Sequence, residues 1–187
     1  MTNEDVILEG QIREFYGRVV YTHKTHEKCA DLLLTRHQRI KISQIVLSAL
    51  VTGGVLGALW PSSSLAVTLI TAILSTHLLA LNSYTKDYDL GEVAQKHRQA
   101  AAEVWLIRER YLSLLIDLRS CAIEADKARH RRDVLLDELS VVYAGAPSTN
   151  AKAYNLAQHG LKNMEEMTFS DDEIDKLLPK ELRRNSV

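Results

Sequence analysis

Three groups of side chains in this 187-residue sequence have types and spacings that could do chemistry. His23, His26 and Cys29 form H-x-x-H-x-x-C, and imidazole and thiolate are ligands that zinc favours. Zinc also needs a fourth ligand and a fixed geometry. On a helix, residues three apart are turned by about 300°, so the three side chains drift round the axis instead of converging. The pattern reads as a polar face with one buried thiol, and no metal is expected. Lys127, Arg129, His130, Arg131 and Arg132 make a basic run that could hold a phosphate-bearing messenger or an anionic lipid. Glu124, Asp126, Asp133 and Asp137 stand at helical-neighbour spacings and turn that run into an ion-paired, solvated face.

The third group consists of polar residues set in apolar sequence. Gln44, Ser48 and Thr52 recur every fourth residue, and Thr68, Thr71, Ser75 and Asn82 follow one face of a later segment. Polar side chains in lipid face protein or water. These stripes either line a pore formed on oligomerisation or bond between two spans and to their own helix carbonyls. His77 is either a titratable gate or a residue that reaches the interface or bonds a neighbour. Gly53 and Gly57 make G-x-x-x-G, a strip that lets a second helix backbone approach closely. That helix is either another copy or the other span of the same chain. There is no glycine-rich phosphate loop, nucleophile elbow or H-E-x-x-H, so no enzyme and no cofactor are expected.

The elements that must position these residues follow from charge. Between Lys41 and Lys86 lie 44 consecutive positions without Asp, Glu, Lys or Arg. A spanning helix needs about 20 mostly apolar residues, at ~1.5 Å of rise per residue, to cross a ~30 Å hydrocarbon core. Residues 42–60 supply one span and 65–85 the other. Between them 61–64, Pro-Ser-Ser-Ser, is an external turn in which Ser64 can cap the second helix. The competing reading, a buried hairpin of a soluble protein, conflicts with the absence of charge on any face.

Whole-chain averages hide this segment. Net charge is −1 and mean hydropathy −0.13, values of an ordinary soluble protein, and the near-neutral balance argues against nucleic acid as a partner. Residues 1–10 are acidic and lack a signal-peptide pattern, so the first span is expected to act as the insertion signal. Arg36, His37, Arg39 and Lys41 precede the first span. Lys86, Lys96, His97 and Arg98 follow the second, and the turn has no charge. Basic flanks stay in the cytoplasm, which puts both termini there, with Trp60, Tyr84 and Tyr88 as interfacial anchors. Cys29 and Cys121 then share a reducing compartment and are read as free thiols.

The fold class expected is all-α: a two-span transmembrane hairpin with long cytoplasmic helices forming a bundle. Residues 1–41 are an N-terminal cytoplasmic helix running unbroken into the membrane, unless Gly17 interrupts it. In the C-terminal cytoplasmic region 86–187, the spacing of Val104, Ile107, Tyr111, Leu114, Leu118, Ala122, Ala125, Leu135, Leu139 and Val142 predicts one helix over 86–142. Gly145 and Pro147 end it, 149–164 reads as a shorter helix, and Ser170-Asp171-Asp172-Glu173 opens a last one that Pro179 stops.

The arrangement resembles the SLATT domains. The resemblance is carried by YTHKTHEKCADLLLTRHQRIKISQIVLSAL (21–50), LNSYTKDYDLGEVAQKHRQAAAEVWLIRERY (81–111) and DDEIDKLLPKELR (171–183). It implies a membrane effector of bacterial antiviral defence that oligomerises in the inner membrane and breaches it when infection is sensed. It also implies a nucleotide-second-messenger synthase or a nucleotide sensor as protein partner, beside the lipid bilayer. The alternative is a membrane-anchored scaffold whose cytoplasmic helices recruit a partner.

Overall fold

The computed structural model of the chain describes residues 3–61 and 64–184. The described residues form α1 (Asn3–Ala58), α2 (Leu65–Asp87), α3 (Leu90–Arg119), α4 (Ala125–Gly145), α5 (Ala151–Asn163), α6 (Asp171–Leu177) and a single 3-10 turn, Lys180–Leu182. None of them is in a strand. The fold is all-α, built on a hairpin of two helices each long and apolar enough to cross a membrane.

At 56 residues, α1 is about 84 Å long at 1.5 Å per residue, enough to cross a bilayer and project well beyond it. Gly17 does not interrupt it. Helices α2 and α3 return along α1 in antiparallel order. Thr71 meets Gly54, Asn82 meets Gln44, His97 meets His26 and Tyr111 meets Phe15. These pairings keep one register, although α2 and α3 are separate helices. The joint at Tyr88-Asp89 is short because Asp89 caps α3 at once, its carboxylate accepting from the backbone N–H of Gly91 and Glu92 at 2.8 and 3.0 Å.

The two halves of this ribbon differ in what covers them. No residue of α2 is buried, and Ile42, Ile45, Leu50, Leu56, Leu69, Ile70 and Ile73 are all exposed large apolar side chains. A soluble core hairpin would be covered; this one is finished by lipid. In the other half α4 and α5 pack on the ribbon. Leu8, Ile12, Val19, Val104, Ile107, Tyr111, Leu114, Leu118, Leu135 and Leu139 form the core, with Phe15 and Tyr16 against it. Burial of Tyr111 pushes its phenol pKa up to about 12.

The single helix expected over 86–142 is two helices. α3 stops at Arg119 and α4 folds back on it, so that Asp117 pairs with Arg131 and Glu138 with Arg110. The reversal is a Schellman ending. The N–H of Ala122 donates to the carbonyl of Asp117 at 2.9 Å, and that of Cys121 to the carbonyl of Leu118 at 3.2 Å. Cys121 occupies the left-handed position, at φ 58°, where glycine is usual. Ala122, expected on the packing stripe, is exposed in this turn. Ser64 sits at the N-cap of α2, but its side chain makes no capping bond. Ser62 and Ser63 of the expected turn lie outside the described residues. The later helices start where their caps fall. Asn150 accepts from the N–H of Ala153 at 3.0 Å, and Ser170 with Glu173 completes a capping box.

Because a side chain disfavours the left-handed region, Cys121→Gly is expected to stabilise the bundle by about 1 kcal/mol, and Cys121→Val to destabilise it by at least as much. Urea unfolding of the full chain in detergent, followed by loss of helicity, measures both. Equal stability of the two variants would contradict the assignment of the turn.

Candidate functional site

The polar and small residues of the spans are positioned by the phase of α1 against α2. Gln44, Leu47, Val51, Gly54 and Ala58 are the half-buried positions of the first span. Val67, Thr71, Leu74, Leu78 and Leu81 are those of the second, joined at its end by Tyr84 and Thr85. Both sets alternate by three and four, the seam of two antiparallel helices. Gly54 sits at the tightest point. A Cβ there would lie 3.2 Å from both Cβ and Cγ2 of Thr71, whose hydroxyl donates to the carbonyl of Val67 at 2.8 Å. Gly53 and Gly57 have nothing within 4 Å of the same position. The glycine that packs the two spans together is therefore Gly54, and the Gly53/Gly57 strip faces away from α2.

The polar stripe divides. Gln44 donates to Asn82 Oδ1 at 2.9 Å and to Thr85 Oγ1 at 3.0 Å, a tie between the spans near the basic flanks. Ser48, Thr52, Thr68, Ser75 and His77 are exposed along the hairpin, while Thr71 is turned into the seam. Thr52 donates to the carbonyl of Ser48 at 2.9 Å, and His77 Nδ1 bonds the carbonyl of Ile73 at 2.9 Å. Gln44, Ser48, Thr52 and Asn82, with Lys41, Ile45, Ala49 and Leu78, line one groove of about 840 Å³ along the flank of the hairpin. At 100° per residue the seam, the Gly53/Gly57 strip and the Ser48/Thr52 strip each take roughly a third of the circumference of α1. Arg36 lies over the Tyr84 ring at 5.7 Å and Tyr84 stacks on Tyr88 at 5.4 Å, an aromatic and cationic collar at the span's end.

The H-x-x-H-x-x-C residues turn to three different partners. His26 Nδ1 meets His97 Nδ1 at 2.9 Å inside the α1–α3 contact. His23 Nε2 approaches Glu27 at 3.6 Å, and Cys29, buried, receives the Asn150 amide at 3.8 Å. Burial raises the Cys29 thiol and lowers His97 and His23. Burial, then the neighbouring His97 and His23, hold His26 down at about 4. The basic run is ion-paired: Arg129 to Glu4 and Asp126, Arg131 to Asp117, Arg132 to Asp133 and Lys127 to Glu124.

This combination defines a two-span helical membrane protein whose spans continue into an extramembrane bundle. Residues 8–173 match the family described as SMODS and SLOG-associating 2TM effector domain family 4, and the chain belongs to it. No curated protein and no solved structure matches the chain.

Gly54→Leu is expected to separate the two spans, at a cost of about 1–3 kcal/mol from overpacking, whereas Gly53→Leu leaves the hairpin intact. Disulfide trapping between cysteines placed at Leu47 and Leu78 reads the difference. The histidines give a pH dependence. Below about pH 6.5 the unfolded chain takes up protons that the folded His26 refuses until about pH 4, so stability is full above that window and falls through it. From His26 alone the loss at pH 5 is about 2 kcal/mol. A bundle equally stable at pH 7.5 and pH 5, or an unchanged acid limb in His26→Gln, would contradict this.

Proposed function

We propose that this protein is an effector of bacterial antiviral defence that assembles in the inner membrane and permeabilises it on activation. Membership of a two-span effector family associated with conflict systems supports the general role. The observation that carries the mechanism is the division of α1 into three strips. One holds α2. A second, Gly53/Gly57, is bare and open to the backbone of a neighbouring copy. The third, Ser48/Thr52, opens into the polar groove and suits the wall of a water path. A helix packed on the glycine strip leaves the polar strip uncovered, so one copy can be joined to the next and still present polar groups to a lumen. Ser75 and Thr68 of α2 add to the same polar surface, while Gln44 and Asn82 tie the two spans and Thr71 and His77 bond carbonyls of their own helix.

The basic flanks against an uncharged turn support cytoplasmic termini. A second-messenger synthase or nucleotide-sensing protein is the class of partner that supplies the trigger. The scaffold reading makes a different demand, because a scaffold works with any spans of suitable length.

Gly53→Leu and Gly57→Leu are each expected to insert normally and to lose crosslinked oligomer. Dye entry into overexpressing cells should fall about tenfold or more, the change that ~1.4 kcal/mol of lost contact produces. Ser48→Lys should alter leakage without affecting insertion. Variants that insert, lose the oligomer and still admit dye would exclude assembly through this strip as the route. Full leakage with both spans exchanged for polyleucine helices would exclude a pore built from these residues.

A further inference from the structure

Outside the membrane, α1 and α3 leave a cavity of about 800 Å³ between them, within the range of small-molecule sites. Ala101 and Ala102 of α3 form its floor. Around that alanine floor stand groups whose bonding capacity the fold leaves unused. Trp105 is 46% exposed and has no ring contact among the described residues. Arg98 and Asp31 line the same cavity from opposite helices, and neither has an ion pair among the described residues. His23, also in the wall, is 7% exposed with a buried Nδ1 that no group meets. An aromatic face, a free guanidinium and a free carboxylate recognise a planar ring, a phosphate and a pair of hydroxyl donors respectively. A nucleotide carries all three.

The rim of the cavity holds a device that such a ligand would disturb. Met167 closes one edge and belongs to the segment between α5 and α6. In that segment Glu165 and Met167 are in the left-handed region, at φ 51° and 74°, which their side chains oppose, so contacts must hold it. The N–H of Glu166 donates to the carbonyl of Gly160 at 3.1 Å, Arg108 reaches Met167 Sδ at 3.6 Å, and the Glu166 carboxylate sits between Lys24 at 2.8 Å and Lys28 at 3.0 Å. It lies so close on Gly160 that a Cβ there would stand 2.8 Å from Oε2. Lys24 also lines the cavity.

We propose that this cavity binds a nucleotide, with the base on Trp105, the ribose hydroxyls on Asp31 and the phosphate on Arg98, and that the phosphate draws Lys24 from Glu166 and frees the 164–169 segment. The binding is independent of the pore mechanism. It gives the extramembrane bundle a ligand-driven change at the contact where α1, α3 and the end of α5 meet.

The chain has two tryptophans, so the full-length Trp60→Phe protein in detergent reports Trp105 fluorescence alone. Titration with AMP, GMP and ATP, with adenosine and inorganic phosphate as controls and calorimetry in parallel, is the test. At least one nucleotide is expected to give a saturable change, with adenosine and phosphate each about tenfold weaker or worse. Arg98→Ala should weaken the nucleotide about tenfold, and Glu166→Gln should tighten it several-fold, because Lys24 is then held by Glu27 alone. Asp31→Ala should narrow the gap between a ribonucleotide and its 2′,3′-dideoxy analogue. No saturable signal from any nucleotide up to about 5 mM, weaker than any useful site, would overturn the proposal. So would phosphate binding as tightly as a nucleotide, or an affinity indifferent to Arg98→Ala. A Glu166→Gln protein that binds no tighter would overturn the link to the 164–169 segment.

Discussion

Everything in this structure depends on one antiparallel register between α1 and the returning pair α2–α3. It is set in the membrane by Gly54 against Thr71 and by Gln44 against Asn82. It is continued outside by His26 against His97 and Phe15 against Tyr111. Each contact alone is modest: a close van der Waals approach, a hydrogen bond between side-chain amides, an imidazole pair, two rings. Their strength lies in agreeing, since a slip at one point would misplace every other. The joint at Tyr88-Asp89 keeps this agreement because Asp89 restarts the helix immediately. Displacement of α3 along α1 is therefore coupled to α2 through a short linkage, the arrangement by which a change in the bundle can reach the spans.

The same register explains which residues are left available. With α2 on one third of α1, the Gly53/Gly57 and Ser48/Thr52 strips remain on the other flanks, and neither competes with the hairpin contact. Outside the membrane, the cavity between α1 and α3 lies over Ala101 and Ala102, beside Trp105. The proposed assembly surface, the proposed water path and the proposed ligand site thus lie on different faces of one ribbon, so each can change by substitution without loss of the others.

What could be read from the sequence was what one segment decides alone. The charge-free stretch from 42 to 85 gave the spans, and the Ser170 capping box gave the start of α6, because hydropathy and caps are local. The break at 120–124 was not legible. No glycine or proline marks it, Cys121 takes a backbone conformation that its side chain opposes, and Ala122 and Ala125 happen to continue the apolar spacing. Gly54 was hidden among three glycines, since its role depends on where Thr71 stands on the other helix. The pairing of His26 with His97 joins residues 71 apart and has no sequence signal at all. The joint before α3 could have been found, because Asp89 followed three residues later by Glu92 is a cap signal.

In the proposed assembly α1 presents different strips to different surroundings, and cysteine accessibility along that helix distinguishes them. In a Cys29→Ala, Cys121→Ser background, single cysteines at 48, 52, 53 and 57 would be challenged in activated cells with a charged, membrane-impermeant thiol reagent. Rapid modification is expected at 48 and 52 and protection at 53 and 57. Equal reactivity at all four positions, or reaction confined to 53 and 57, would contradict it.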